Sequence, residues 1–418
     1  MTTELFEKYE SQVRSYCRSF PTVFTRAKGS LLWDTDGREY IDFFNGAGAL
    51  NYGHNPDFIK ARIADYLASD GIMHALDMYT VPKAHFIDVL ENQILIPKGL
   101  DYKVQFPGPT GTNAVEAALK LARKVKGRSN VFALMGAFHG MTLGSLSLTT
   151  DWGSRAGAGV ALHDVTHVPA PYQYGDEFAL NYIEMLLTDD HSATSKPAAI
   201  IIETVQAEGG VYVFSNEYLQ GLRRICDEHG VLLVVDDIQI GCGRTGTFFS
   251  FERSGVVPDI VTLSKSIGGY GMPFALTLFK PELDVWSPGE HNGTFRGNQL
   301  AIVAATGGLE LSLAEDVPGG AARRGEVIGT YLREQVAPLL NRIPQADVRG
   351  IGCIWGVDVR SGETAAAITR ECFENGVIME RAGRDNGVVK LMPSLLIPDE
   401  ELLAGLKVLR DATAKVLA

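Results

Sequence analysis

Residues 259–269 read DIVTLSKSIGG, and the lysine at position 265 decides how the rest of the chain is understood. A short run of β-branched and aliphatic residues ends in Ser264-Lys265-Ser266, with two glycines close behind. Such a run suits a strand buried on both faces, which would deliver Lys265 to the strand's C-terminal end. Ligands of wound α/β sheets bind at that edge. Taken alone, a lysine after a strand is most often a solvated side chain. Upstream, 231–236 reads VLLVVD, a second strand of the same kind that closes on Asp236.

An amine and a carboxylate at the ends of two strands can grip one heteroaromatic ring. The carboxylate would hold a pyridine nitrogen protonated, so that the ring withdraws electrons from a carbon losing its proton. The amine, ordinarily near pKa 10.4, must be made neutral to condense with an aldehyde. Together they point to pyridoxal 5'-phosphate (PLP). Gln239, three residues after Asp236, could bond the ring's phenolic oxygen. PGPTGTN at 107–113 precedes a helix expected over 112–126, and the free N–H groups of Gly111 and Thr112 at its N-terminus would cradle a phosphate. Phe138, in Phe138-His139-Gly140 after another strand run, could stack on the ring.

The surrounding pattern is that of an α/β protein. Strand runs at 131–135, 198–203, 231–236, 260–264 and 275–279 alternate with helical periodicity, as at 215–229, where Ser215 can cap the start and Gly230 the end. The pattern implies a mostly parallel sheet with flanking helices plus a smaller α+β domain. The boundaries read as 1–55 (N-terminal segment of the small domain), 56–304 (large cofactor-binding domain) and 305–418 (C-terminal small domain). SLLWDTDGREYIDFF at 30–44 forms a strand–turn–strand signal expected to pack with the C-terminal part. Leu5, Phe6, Tyr9, Val13 and Tyr16 fit one helical stripe rather than a secretory leader.

A net charge of −12 opposes a nucleic-acid role, which needs a basic face, and opposes docking on anionic lipid. Five scattered cysteines without a CxxC pair suit free thiols in a cytoplasmic setting. No run reaches the roughly 20 apolar residues of a membrane span. GCGRTG at 241–246 matches GxGxxG, but the sequence after it does not open a helix, so a dinucleotide fold is disfavoured. HDVTH at 163–167 imitates a zinc motif with the wrong acid and β-branched residues between its histidines; no metal is expected.

IIETVQAEGG (201–210), VVDDIQIGCGRTG (234–246) and LSKSIGGY (263–270), in that order, resemble the class-III (ω-amino-acid) aminotransferases of PLP fold type I. The resemblance covers essentially the whole chain. FPGPTGTNAVEAALKLARKV (106–125), LTLFKPELDVWSPGEHNGTFRGN (276–298) and EKYESQVRSYCRSFPTVF (7–24) further resemble the branch of that family that makes diaminobutyrate for ectoine synthesis. That implies a transfer from L-glutamate to the terminal carbon of L-aspartate 4-semialdehyde, giving L-2,4-diaminobutyrate and 2-oxoglutarate. Other ω-amines, such as ornithine or 4-aminobutyrate, an epimerase on the same scaffold, and a PLP-binding regulator without turnover are the alternatives.

By resemblance, Lys265 carries the cofactor and moves the proton, Asp236 pairs with the ring nitrogen, and Gln239 and Phe138 hold the ring. Gly111 and Thr112 bind the phosphate. Glu203 and Gln206 line the site beside Glu208, and Thr294 reaches the phosphate of a neighbouring subunit, which implies a homodimer or a dimer of dimers. Glu208 matches a switching glutamate that pairs with a cation whenever no substrate carboxylate is there. The family's cation is an arginine; the matching position here is Lys390, a point charge that cannot form a bidentate grip. Lys390 is expected to perform the switch, with Arg296 or another cation assisting. Ala47, beside Gly48 in a loop where relatives carry bulkier residues, is expected to leave room for the substrate's amino-acid head.

Overall fold

The computed structural model describes residues 3–418. A seven-stranded mixed sheet is the largest in the fold, in spatial order Lys103–Gln105, Leu276–Phe279, Ile260–Leu263, Leu232–Asp236, Ala199–Ile202, Val131–Leu134, Val165–Val168. The last five strands are mutually parallel, and Leu276–Phe279 runs antiparallel to both its neighbours. Each of the five strand runs read from sequence is present, one or two residues shorter.

Alternation along the strands explains their unbroken apolar character. Phe132, Leu134, Ile200, Ile202, Leu233 and Val235 enter one core with Leu219, Leu222 and Ile225 of the helix Asn216–His229. Val131, Ala133, Ile201, Leu232 and Val234 enter another with Val115, Ala118, Leu119 and Ala122 of the helix Gly111–Lys126. Both faces are dry, so every position is apolar until the strand reaches its functional end. Ser215 accepts from the Tyr218 N–H at the start of its helix, and Gly230 ends it in the left-handed conformation.

The segment 24–42 forms three antiparallel strands, joined in parallel by Val377–Ile378 from the far end of the chain. A further antiparallel sheet runs Asp347–Ile351, Ile354–Asp358, Val388–Leu391, Glu380–Ala382. The final helix, Asp399–Leu417, buries Leu402, Leu406 and Leu409 in the same core as Val357, Val389 and Leu391.

The single N-terminal stripe is not formed. Glu4–Tyr9 is one helix and Tyr16–Ser19 another, and Leu5, Phe6, Tyr9, Val13 and Tyr16 are not buried. A six-residue helix has too few turns to be stable without a packed face. The segment 241–246 forms turns, with no helix after it. Within it Arg244 is wholly buried; it donates to Asn51 Oδ1 (3.2 Å), Cys353 O (2.8 Å) and Pro393 O (2.9 Å), tying the start of the chain to its end. Of the zinc-like pair, His163 precedes and His167 lies within the strand Val165–Val168, so they share no helix face. Among the described residues no helix is long and apolar enough to cross a membrane.

Arg244→Ala would leave three buried acceptors without their donor. A loss of about 3 kcal/mol in urea unfolding is expected; a change below about 1 kcal/mol would deny Arg244 this clamping role.

Candidate active site

Parallel pairing places Asp236 directly beside Thr262, three residues before Lys265. Both chains leave the sheet at the same edge, and the two side chains open on one cavity of about 330 Å³. Gly111, Thr112, Phe138, Glu203, Glu208 and Gln239 also line it, together with His139 and Gly140. Lys265 itself has a positive φ of 53°, uncommon for a residue with a side chain. Burial pulls its amine below the ordinary range, with Glu208 opposing and Lys390 adding.

Asp236 is held on both oxygens. His139 Nδ1 lies 2.6 Å from Oδ2, while Thr262 Oγ1 (3.0 Å) and the Ile238 N–H (3.2 Å) donate to Oδ1. His139 is buried and its Nε2 has no partner. Burial alone would lower the imidazole's pKa, but the bond to Asp236 and that carboxylate's charge reverse it, and the net direction is up. The sequence reading passed over His139 in favour of Phe138. Glu203 accepts from the Phe138 N–H (3.0 Å), and burial lifts its carboxyl to about 7, against the pull of His139.

The phosphate cradle has the expected form. In the helix Gly111–Lys126 the Asn113 N–H is taken by Thr110 O (3.0 Å), and Gly111 and Thr112 stand ahead of it in the cavity wall. Gly140 has φ 127°, and a Cβ there would come within 2.6 Å of Ser145 Oγ and 2.7 Å of Thr112 Oγ1. The backbone therefore passes close to these hydroxyls only because position 140 is glycine. An unencumbered helix N-terminus, a hydroxyl cluster, a buried carboxylate and a buried amine around one cavity fit PLP.

Glu208 Oε1 is shared. Lys390 Nζ donates to it at 2.6 Å and Gln239 Nε2 at 3.0 Å; Gln239 also donates to Ala47 O at 2.9 Å. Burial would raise Glu208, yet Lys390 and then Lys265 hold it below its ordinary range. Lys390 is fully buried in the strand Val388–Leu391 and faces a second carboxylate, Glu380, whose Oε2 lies 3.0 Å away. Glu380 was not found from sequence; a short strand with a lone acid carries no distinctive signal.

Other expected residues stand apart from the cavity. Ala47 contributes its carbonyl to Gln239, in a run where Asn45, Gly46, Ala47 and Gly48 all have positive φ. Gln206 lies in a two-stranded ribbon, its amide donating to Met135 O. Thr294 is exposed. Within the chain Arg296 does not lie beside Lys390: it pairs with Asp77 (2.6 Å) and lines a different cavity. Lys390 has its own two carboxylates, so no second cation is called for at that end.

Residues 13–413 match the family model described as aminotransferase class-III. The chain is 52% identical over 412 residues to a diaminobutyrate–2-oxoglutarate transaminase of Nocardia farcinica, covering 98% of this chain and 94% of that one. It is 51% identical over 416 residues to one of Sporosarcina pasteurii, covering 99% and 97%. Among solved structures, an ornithine aminotransferase of Toxoplasma gondii aligns with TM-score 0.86 at 27% identity, covering 100% and 96%. A second structure of a Toxoplasma gondii ornithine aminotransferase, with TM-score 0.85 at 26% identity over 99% and 94%, is described as having partial PLP occupancy at its active site.

A carboxyl lifted by burial binds its proton more tightly in the folded state, so its share of stability is lost as pH rises. Glu203 should thus erode the stability of the cofactor-free protein between pH 4.5 and about 7. Asp237, raised by burial to about 7, adds to the same slope. Urea unfolding of Glu203→Gln across this window should show a flatter decline, by at most about 3 kcal/mol. An unchanged slope would mean that Glu203 is solvated.

Proposed function

The chain belongs to the class-III aminotransferases, and we propose that it interconverts L-aspartate 4-semialdehyde plus L-glutamate with L-2,4-diaminobutyrate plus 2-oxoglutarate. The observation that carries this reading is identity of about half over nearly the whole length to diaminobutyrate–2-oxoglutarate transaminases. The likeness to ornithine aminotransferases is about half as strong in sequence.

PLP supplies an aldehyde that condenses with amines and a protonated ring that draws electrons from the carbon being deprotonated. Lys265 holds it and, once released, takes the proton from the substrate's amine-bearing carbon and returns it as general acid. Its lowered proton affinity suits that task. Asp236, fixed by His139 and Thr262, keeps a carboxylate where the ring nitrogen needs one. Gly111 and Thr112 hold the phosphate, and Phe138 and Gln239 hold the ring. Glu203 stands behind Phe138 and fixes its backbone.

The two substrates differ at the carbon next to the reacting one. Glutamate brings a carboxylate there, whereas the terminal amine of diaminobutyrate brings none. Paired with Glu208, Lys390 presents little free charge, which suits diaminobutyrate. When Glu208 turns aside, Lys390 faces the glutamate carboxylate. Ala47 leaves space for the amino-acid head at the far end of diaminobutyrate.

We further propose that the working form is a homodimer, alone or paired into a dimer of dimers. Tyr79 and Val81 are 101% and 83% exposed, and Phe295, next to Thr294, is 64% exposed. The Ala75 N–H bonds to Gly297 O, so the two exposed segments run side by side near Thr294. A second copy on that face would bring Thr294 to the partner's phosphate. Unpaired cysteines, four of them buried, suit a cytoplasmic protein.

With 2-oxoglutarate as acceptor, diaminobutyrate should be converted at least about tenfold faster than 4-aminobutyrate or ornithine; equal rates would refute the substrate assignment. Lys265→Ala should abolish turnover. Lys390→Ala should raise the KM for glutamate by about tenfold or more while sparing diaminobutyrate. Equally small effects on both half-reactions would remove Lys390 from the switch.

A further inference from the structure

Lys390 has two acidic neighbours, and only Glu208 stands in the cavity wall. The other, Glu380, is placed by the backbone. Residues 380 and 390 are directly opposed partners of antiparallel strands, so their side chains leave the same face of the sheet. Glu380 is 9% exposed, and its two oxygens are treated differently. Tyr16 donates to Oε1 at 3.2 Å, whereas Oε2 lies 3.0 Å from the Lys390 ammonium as an ion pair. One ammonium therefore faces two carboxylates in a buried place.

That arrangement exceeds what a simple switch requires. Glu208 alone would neutralise Lys390. The added carboxylate leaves the cluster with a net negative charge, in surroundings where charges are poorly screened. A carboxylate arriving at Lys390 is opposed by Glu380 whether or not Glu208 has moved. A terminal amine with no carboxylate at that end meets no such opposition.

We propose that Glu380 is a specificity-determining residue of the transaminase: its charge weakens the hold of Lys390 on a substrate carboxylate and so sets the balance between the two half-reactions. This deepens the switch described under Proposed function and rests on it. Tyr16 and Lys390 touch Glu380 directly, and the charges of Glu208 and Lys265 also act on it. Burial, with Glu208, lifts the Glu380 carboxyl above its ordinary range, against the pull of Lys390 and Lys265.

The test compares wild type with Glu380→Gln, which keeps shape and hydrogen-bonding capacity and removes the charge. Glutarate, a dicarboxylate that cannot be transaminated, is titrated into the holoenzyme by calorimetry at about pH 8. The variant should bind glutarate about tenfold more tightly. Its KM for glutamate and 2-oxoglutarate should fall in step, with kcat/KM for diaminobutyrate changed less than about twofold. Glu380→Asp, which draws the charge back by one methylene, should bind glutarate with intermediate affinity; it carries the test alone if the Gln variant does not fold. Unchanged or weakened glutarate binding, or equal changes in both half-reactions, overturns the proposal. Failure of wild type to convert diaminobutyrate with 2-oxoglutarate overturns the reaction instead, because glutarate affinity needs no turnover.

Discussion

The site depends on two strands running in the same direction. Leu232–Asp236 and Ile260–Leu263 are parallel neighbours, with Asp236 level with Thr262. If either were reversed, Asp236 and Lys265 would leave the sheet at opposite edges. Parallel pairing needs a crossover between the strands, and here the turns of 241–246 and the segment beyond them supply it. Arg244, at the centre of those turns, reaches Asn51 on one side and Cys353 and Pro393 on the other. The connection that makes the two strands parallel thus also docks the two ends of the chain, the later of which sets Lys390 against Glu208.

Electrostatics then divides the cavity into two ends. At one, Asp236 accepts from Thr262 and the Ile238 N–H on Oδ1 and meets His139 on Oδ2, which leaves it an acceptor site for one further donor. At the other, Lys390 lies between Glu208 and Glu380. Lys265 stands between these ends with its proton affinity lowered by burial. The amine that must become neutral is thus distinct from the ammonium that must stay charged: Lys390, flanked by carboxylates, moves the opposite way from Lys265 although both are buried. Two lysines of equal intrinsic chemistry are separated in function by which acids stand beside them.

What could be read from sequence follows from how local each signal is. Lys265, Asp236, Gln239, Gly111 and Thr112 each sit at a strand end or helix start, where a short run of residues fixes both position and direction. All five line the cavity. His139 lay within a quoted motif yet was passed over, because its partner Asp236 is distant in sequence and only the sheet order brings them together. Glu380 and Lys390 belong to a four-stranded sheet whose register no local pattern announces. The exposed residues of 5–16 read as one amphipathic helix because periodicity records spacing but not whether a core exists to receive the face. Arg296 stands beside Asp77, a partner that its sequence neighbours do not announce.

The lysine at position 390 is best understood through its two neighbours. A guanidinium presents its donors in one plane and favours a bidentate carboxylate, so it would grip Glu208 or a substrate with both arms. An ammonium presents three donors around a point. It can meet Glu208 on one side and Glu380 on the other while fully buried in the middle of a sheet, where a planar fork would need more room. Replacing the fork by a point charge therefore weakens the grip on any single carboxylate and makes space for a second one. In the switch proposed above, such a weakened grip would let Lys390 exchange one carboxylate for another as the two substrates alternate.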